Sequence, residues 1–376
     1  MKRWLVGICV AALLMGIPVA AVDVHAYGAL LMEKETGEIL YAKNEHEKME
    51  PASVTKVMTL LLVMEALDNG QLHYDDIVTG SAHACSMGGS QIWLKEGEKM
   101  TVHDMLKAVF VVSANDCAVA LGEAVAGSEA AFVDMMNRRA KELGMNDTTF
   151  RNATGLPAEG HVTSAYDIAV MSRELIANHP EVREYTTIWM DTLRNGASEL
   201  VNTNKLIRQY EGATGLKTGS TSTAMYCVSA TAERAGMELI AVVLKSPTGE
   251  QRVADARTLL DYGFANYALL KAAADEALPP VPVVLGNQAT VQPVLDERFL
   301  LLEKGRAAKL TKTLELAESV EAPVAAGDVL GSLKIMAGDE LVAEVPVLAG
   351  EEIPRLTWGQ VAHRLIRTAL LAGKGE

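Results

Sequence analysis

A serine and a lysine stand three positions apart in the stretch P-A-S-V-T-K-V-M-T at 51–59, where an apolar helical run begins. Residues at this spacing share one face of a helix, so the ammonium of Lys56 can reach the hydroxyl of Ser53. Serine becomes a nucleophile when a base takes its proton, and lysine can be that base only if burial or a second cation lowers its pKa. This is the chemistry of nucleophilic catalysis, but the pair taken alone is a weak signal and favours a simpler alternative. The alternative is a helix N-cap followed by a surface lysine.

Two further motifs favour the catalytic interpretation. Average composition would produce roughly one S-x-x-K by chance in a chain of this length, and K-T-G about 0.1 times. The chain has F-V-V-S-A-N-D, which places Ser113-Ala114-Asn115 between two helical runs, and G-L-K-T-G-S, which places Lys217-Thr218-Gly219 on a predicted strand. Lys217 is a candidate for the second cation that Lys56 requires.

The three motifs in this order resemble the signature of penicillin-binding proteins and class A β-lactamases. Within that group the chain looks like a low-molecular-weight penicillin-binding protein, a serine-type D-alanyl-D-alanine carboxypeptidase, and the resemblance runs nearly end to end. The segments S-M-G-G-S-Q-I-W-L, N-A-T-G-L-P-A-E-G-H-V-T-S-A-Y-D and L-L-D-Y-G-F are also similar to this family. Ala114 replaces the Asp of the S-D-N form, which the carboxypeptidases commonly tolerate.

The resemblance implies a role for each matching residue. Ser53 attacks the carbonyl between two terminal D-alanines, Lys56 takes its proton, and Ser113 relays a proton to the leaving amine. The implied substrate-binding residues are Asn115 at the acyl amide, Lys217, Thr218 and Arg252 near the terminal carboxylate, and Gly219 and Ser220 on the strand. Backbone N–H groups of Ser53 and Ser220 are the expected oxyanion donors. Gly219 is expected to leave room for a substrate that adds to the sheet edge as an extra strand. No cofactor and no metal are implied.

The elements that must position these residues follow from the patterning. A hairpin turns at 35–38, helical periods cover 54–67, 102–112, 115–125, 128–143, 165–178 and 251–267, and three strand-like runs follow Gly212. Strands at both ends with helices between them predict an α+β fold, an antiparallel sheet flanked by helices, which the resemblance identifies as the β-lactamase/transpeptidase-like catalytic domain, at 27–272.

Three prolines within D-E-A-L-P-P-V-P-V-V-L predict a linker at 275–285. Alternating runs beyond it predict a small all-β domain at 283–352, with a turn at Gly338-Asp339. The last segment, 354–372, predicts an amphipathic, basic helix. It either lies in a membrane interface as an anchor or docks on the β-domain.

The first residues have a basic start, a short apolar run and small residues, which predicts a signal peptide at 1–26 with a cut after Ala26. A cut after Ala21 fits nearly as well, and an uncleaved membrane anchor is the alternative. Removal of Cys9 leaves an odd number of cysteines, and Cys117 and Cys227 are interpreted as core residues. The expected location is the outer face of the cytoplasmic membrane or the cell-wall space.

Composition excludes some partners and leaves others. The chain has 34 basic and 48 acidic residues, a formal charge of −14, which disfavours nucleic-acid binding. The resemblance implies peptidoglycan stem peptides ending in D-Ala-D-Ala, β-lactam antibiotics and, through the last helix, a membrane surface. The resemblance also implies that the protein acts in peptidoglycan maturation and cell shape.

Several other functions remain as alternatives. A β-lactamase would need a further carboxylate, for which the chain offers E-L-I-A-N at 174–178, interpreted as a solvated helix end. The eight histidines lie apart with no H-E-x-x-H, which disfavours a zinc peptidase. His161 is interpreted as a loop hydrogen-bonding residue rather than a general base. A binding module without turnover, and transfer of the acyl group to an amine instead of water, also remain open.

Overall fold

The protein folds around a five-stranded antiparallel sheet. The computed structural model describes residues 22–296 and 298–372. The strands of the first part are β1 (Gly28–Glu33), β2 (Ile39–Lys43), β3 (Ile77–Thr79), β4 (Lys99–Thr101), β5 (Met190–Leu193), β6 (Ser198–Val201), β7 (Ala213–Thr221), β8 (Met225–Arg234), β9 (Met237–Ser246) and β10 (Tyr267–Lys271). The main sheet has the order β2-β1-β9-β8-β7, so its first and last strands in sequence meet in space.

Helices cover both faces of this sheet. Those of the described chain are α1 (Lys56–Asp68), α2 (Ala82–Cys85), α3 (Val102–Val112), α4 (Asn115–Ala126), α5 (Glu129–Glu142), α6 (Ala165–Asn178), α7 (Arg183–Thr186), α8 (Leu206–Gln209), α9 (Gly249–Asn266), α10 (Lys304–Ala307) and α11 (Trp358–Ala372). The α+β prediction of an antiparallel sheet flanked by helices is confirmed. Side chains of successive residues in a strand point to opposite faces, so β1 contributes Leu30 to one core and Leu31 to the other.

Helix α1 lies inside the larger core. Almost every residue from Lys56 to Ala66 is buried, because the run is apolar on all sides. A helix in this position is fixed by its neighbours along its whole length. Its first residue, Lys56, therefore has a well-defined place.

The second part is a β domain, as predicted, with the short helix α10 between its fourth and fifth strands. Its strands are β11 (Val281–Val284), β12 (Thr290–Val291), β13 (Pro293–Leu295), β14 (Phe299–Glu303), β15 (Leu310–Leu316), β16 (Val320–Glu321), β17 (Val329–Ala337) and β18 (Glu340–Ala349). The linker prediction for 275–285 is wrong at its end, because β11 lies within it and begins before the predicted start of the β-domain at 283. Pro282 is tolerated there because it pairs with β12 alone, at Thr290. Pairing with β16 begins at the next residue, so no hydrogen bond to β16 is required of Pro282.

The described chain begins with a short segment that packs on the first domain. Val24 and Ala26 are buried. The backbone N–H groups of His25 and Ala26 donate to the carboxylate of Asp255, at 3.0 and 2.9 Å. A cut after Ala26 would remove these contacts, whereas a cut after Ala21 would keep them. The rest of the predicted signal peptide, 1–21, lies outside the described residues.

The last helix, α11, starts four residues later than the predicted boundary at 354. Trp358, Leu365 and Ile366 are 90%, 67% and 60% exposed. Across 22–296 and 298–372, the helices are all too short or too polar to cross a membrane.

Candidate active site

Ser53 and Lys56 meet at the start of α1. A 3-10 turn, Ala52–Thr55, precedes the helix, and Lys56 Nζ lies 2.9 Å from Ser53 Oγ. The same Nζ donates to the carbonyl of Thr154 at 2.7 Å, and Lys56 is completely buried while Ser53 is half-buried. Thr55 occupies the N-cap position and no side chain caps it. The N-cap and surface-lysine interpretation is therefore wrong.

The environment of Lys56 lowers its pKa well below the ordinary value of 10.5. Burial is the main cause, and the charge of Lys217 is the second; the carboxylate of Asp116 opposes them. A neutral amine at this position can accept the proton of Ser53 Oγ. The sequence argument asked for burial or a second cation, and the structure supplies both.

Lys217 is itself perturbed. It is buried, and burial together with the guanidinium of Arg252 lowers its pKa to about 7. The sequence argument made Lys217 the candidate cation, but its lowered pKa leaves it partly neutral near pH 7. A carboxylate bound beside it would raise this pKa and restore the charge.

Ser113 lies in the turn between α3 and α4, and Asn115 is the first residue of α4. Ser113 has a left-handed conformation, φ 65°, which ends α3 and turns the chain into α4. Ser113 Oγ and Asn115 Oδ1 are buried and have no hydrogen-bond partner among the described residues. Asn115 Nδ2 donates to the carbonyl of Gly88 at 2.6 Å, so its amide orientation is fixed. Buried unpaired oxygens are costly, which is typical of groups that await a ligand.

Strand β7 carries Lys217, Thr218, Gly219 and Ser220. Among the described strands it pairs with β8 alone, so its other side is a sheet edge. Thr218 Oγ1 donates to Thr203 Oγ1 at 2.7 Å. This arrangement has the open edge that the extended-substrate prediction requires.

Gly219 is required for a reason that the sequence argument did not give. A Cβ at this position would lie 2.7 Å from the backbone N of Ser53, 2.9 Å from that of Val54 and 3.0 Å from Ala52 Cβ. The predicted steric conflict was with substrate. In the structure the absent side chain lets β7 approach the turn that carries the nucleophile.

Arg252 reaches the site from α9. Its Nη1 lies 3.4 Å from the carbonyl oxygens of Gly219 and Cys227, and its guanidinium stacks over the ring of Tyr226. It therefore contacts the backbone of β7 and contributes positive charge beside Lys217. Cys117 and Cys227 are core residues, as predicted, and neither forms a disulfide with another described residue.

Sequence reasoning missed the residues that support the backbone around this site. Asp116 is buried, and its carboxylate accepts hydrogen bonds from the backbone N–H groups of Ile92 and Leu94, at 3.1 and 3.0 Å. Gly155, with φ +81°, packs against the turn, where a Cβ would lie 1.8 Å from Ala52 O. The family-like segments around 88–94 and 152–155 were the available signal, but their contacts could not be read from them.

His161 holds a loop, as predicted. Its Nδ1 accepts a hydrogen bond from the backbone N–H of Arg151 at 3.1 Å, so the proton sits on Nε2, which donates to Thr55 Oγ1 at 2.8 Å. Burial and the charge of Arg151 lower its pKa to about 4. The ring is therefore neutral and has both nitrogens occupied, which excludes it as the base that activates Ser53.

Glu174, the carboxylate considered for a β-lactamase, forms an ion pair with Arg139 at 2.6 Å. Its side chain is about a quarter exposed, so the interpretation as a freely solvated helix end is corrected to a partly buried ion pair. Arg139 also bridges to Glu65 of α1. Glu174 thus supports packing between helices.

Known proteins are similar to this chain in sequence and in fold. The sequence profile of the D-alanyl-D-alanine carboxypeptidase family matches residues 16–248, and that of the penicillin-binding protein 5 C-terminal domain matches 271–355. The D-alanyl-D-alanine carboxypeptidase DacF of Bacillus subtilis is 42% identical over 88% of this chain and 86% of its own.

Solved structures of penicillin-binding proteins are similar to this chain in fold. Penicillin-binding protein 5 from Haemophilus influenzae is 29% identical, with a TM-score of 0.75 over 89% of this chain and 98% of that one. Penicillin-binding protein D2 from Listeria monocytogenes in the ampicillin-bound form is 38% identical, with a TM-score of 0.59 over 64% of this chain and 98% of that one.

Proposed function

The chain belongs to the D-alanyl-D-alanine carboxypeptidase family, and on that premise we propose that Ser53 is the nucleophile with which this serine-type carboxypeptidase removes the terminal D-alanine from peptidoglycan pentapeptides. The observation that carries the proposal is the contact of 2.9 Å between Ser53 Oγ and a buried Lys56 amine whose pKa is lowered. Penicillins would acylate the same oxygen.

In the first step, neutral Lys56 takes the proton of Ser53 Oγ as that oxygen attacks the carbonyl carbon between the two D-alanines. Negative charge develops on the carbonyl oxygen, which the backbone N–H groups of Ser53 and Ser220 would stabilise. When the C–N bond breaks, the proton passes from Lys56 through Ser113 to the leaving amine. The products are free D-alanine and an acyl ester on Ser53.

In the second step, water attacks the ester carbonyl carbon and gives one proton to Lys56. The bond between that carbon and Ser53 Oγ then breaks, and Lys56 returns the proton to Ser53 Oγ. The acid product is a peptide shorter by one residue. Atoms balance with one water consumed for each D-alanine released. Transfer to an amine acceptor would use the same ester, and the family resemblance favours water.

Substrate orientation follows from the groups left without partners. Because Asn115 Nδ2 is bonded to Gly88 O, its Oδ1 is free to accept the N–H of the acyl group's amide. Lys217 and Thr218 would hold the terminal carboxylate at the edge of β7, and Arg252 would add positive charge behind them. Gly219 brings this edge close to Ser53.

The proposed location is the outer face of the cytoplasmic membrane. Export would use the predicted N-terminal signal peptide, with the cut after Ala21 because that cut keeps the contacts of His25 and Ala26 with Asp255. Attachment would use α11, because the exposure of Trp358, Leu365 and Ile366 argues against docking of this helix on the β-domain. Deleting 354–376 should move the protein from the membrane to the soluble fraction, and a deleted protein that stays membrane-bound would contradict the anchor.

The activity is tested by the release of D-alanine from a peptide ending in D-Ala-D-Ala. We expect turnover by the mature protein, inhibition by penicillin, and loss of about 10²- to 10⁴-fold in rate in Lys56→Met. The matched control is Lys309→Met, an exposed lysine of the β-domain, which should behave as wild type. Full activity in Lys56→Met would contradict the proposed base.

A further inference from the structure

Three potential metal ligands meet at the end of α1 that lies away from Ser53. Asp68 is the last residue of α1, His179 caps the C-terminus of α6, and Glu181 lies in the 3-10 turn that follows. One ligand atom of each lies within 4.8 Å of the other two. His179 Nδ1 is 2.9 Å from Asp68 Oδ2 and 3.9 Å from Glu181 Oε1.

The imidazole nitrogen at the centre of this cluster forms no hydrogen bond within the part of the chain that the structure describes. The side chain of His179 is only 5% exposed, and its Nδ1 is buried without a hydrogen bond to any described residue. Asp68 Oδ2 is near enough to bond but lies outside the direction in which a ring nitrogen donates or accepts. A buried polar atom left in this state costs free energy. An ion placed between the nitrogen and the two carboxylates would satisfy it.

The surroundings favour positive charge. Helices α1 and α6 both end here, and each directs the negative end of its dipole toward the cluster. The negative charge also affects the neighbouring Tyr74 hydroxyl. Its pKa is raised by burial first, and then by the negative charges of Glu181, Asp68 and Glu184.

We propose that Asp68, His179 and Glu181 form a binding site for a divalent transition-metal ion, with zinc the best fit. Ligand atoms around a tetrahedral zinc lie about 3.4 Å apart when the metal–ligand bonds are about 2.1 Å, and the two measured separations, 2.9 and 3.9 Å, fall on either side of that value. An imidazole with two carboxylates suits zinc better than calcium or magnesium, which prefer oxygen ligands alone. Three protein ligands leave one position for water.

The ion would act as a structural clamp. Helix α1 has 13 residues, so the cluster lies about 20 Å from Ser53, too far to take part in the chemistry. It would tie the far end of the nucleophile-bearing helix to the turn after α6. Asp68 is about half exposed, so the ion can exchange with solvent.

The test uses the untagged mature protein, stripped with a chelator and titrated with zinc chloride by calorimetry and thermal denaturation. We expect one zinc per chain and a rise in Tm of about 4 °C at a zinc concentration 100 times the Kd. Cobalt(II) in the same site should give the visible absorption of a tetrahedral N/O site. Penicillin acylation should stay within about twofold of the apoprotein rate.

Two variants and a control make the result specific. Asp68→Asn, at a half-exposed position, should weaken zinc binding at least tenfold and remove the zinc-dependent rise in Tm. His179→Gln should do the same whatever its own Tm, because the measured quantity is the increment on adding zinc. His73→Ala removes an exposed His–Asp pair, His73 with Asp76, and should bind zinc as wild type does. Absence of stoichiometric binding, or binding lost only in His73→Ala, would overturn the proposal.

Discussion

Replacing Gly219 by Ala should separate the substrate-binding strand from the nucleophile. The new Cβ would lie 2.7 Å from Ser53 N and 2.9 Å from Val54 N, both backbone atoms that cannot rotate away. Ordinary contact begins near 3.4 Å. Strand β7 and the 3-10 turn must therefore move apart by about 0.7 Å, which is the shortfall at the closest contact.

The expected losses differ in size for catalysis and for stability. A displacement approaching 1 Å between reacting groups can cost about 10²-fold in rate, so the second-order rate of penicillin acylation should fall by about that factor. Overpacking costs about 1–3 kcal/mol of the free energy of unfolding, which leaves the variant folded at room temperature. The acylation loss should therefore appear in protein whose circular dichroism is that of wild type.

The assay is the acylation rate measured with a fluorescent penicillin, together with thermal denaturation. Gly249→Ala is the matched control, because a Cβ there meets only Tyr226 ring carbons, at an ordinary 3.5 Å. This control should acylate at the wild-type rate. Wild-type acylation and Tm in Gly219→Ala would refute the argument that strand and nucleophile are held together by this contact.

Three other predictions concern pH, a loop and the N-terminus. The acylation rate should fall in acid as Lys56 gains a proton, and in alkali as Lys217 loses the charge that attracts a carboxylate, with both limbs below pH 10.5 because both pKa values are lowered. In a stopped-flow pH series, a β-lactam methyl ester should lose only the alkaline limb. An alkaline limb that stays unchanged with the ester would argue against the role of Lys217. His161→Asn should reduce the free energy of unfolding by about 1–2 kcal/mol and leave the pH limbs in place in the same series; a lost limb would restore His161 as a base. Intact mass of the exported protein should show a start directly after Ala21, because the segment that follows packs on Asp255, and a start after Ala26 would show that these contacts are dispensable.

Local sequence patterns were enough to predict much of the site and of the fold. Ser53 and Lys56 are one helical turn apart, so their contact follows from spacing alone. The hairpin turn at 35–38 and the helix at 102–112 likewise follow from patterns within a few residues. The α+β class was predictable because strands stand at both ends of the first domain with helices between them, an order that few architectures accommodate.

Contacts between distant segments could not be predicted in the same way. The carbonyl of Thr154 holds Lys56 from far along the chain, and no residue type marks a backbone oxygen. The depressed pKa of Lys217 depends on burial and on Arg252, which only the folded sheet creates. Strand β11 was missed because Pro282 and the two prolines just before the strand suggest a linker, whereas Val281 and Pro282 pair with β12 and Val283 and Val284 pair with β16.

The cluster at the end of α1 illustrates the same limit. The histidines were judged by their separation along the sequence, and that criterion disfavours a zinc peptidase. The two carboxylates beside His179 come from different elements: Asp68 belongs to α1, and Glu181 lies in the 3-10 turn that follows α6. A metal site assembled by tertiary packing has no spacing signature.

The most direct measurement of the central claim is the site of penicillin attachment, found by intact mass and peptide mapping of the mature protein. The account predicts one adduct, on the peptide that contains Ser53. That adduct should be absent in Ser53→Ala and retained in Ser319→Ala, a control at an exposed serine of the β-domain. An adduct on another residue, or one that persists in Ser53→Ala, would contradict the account.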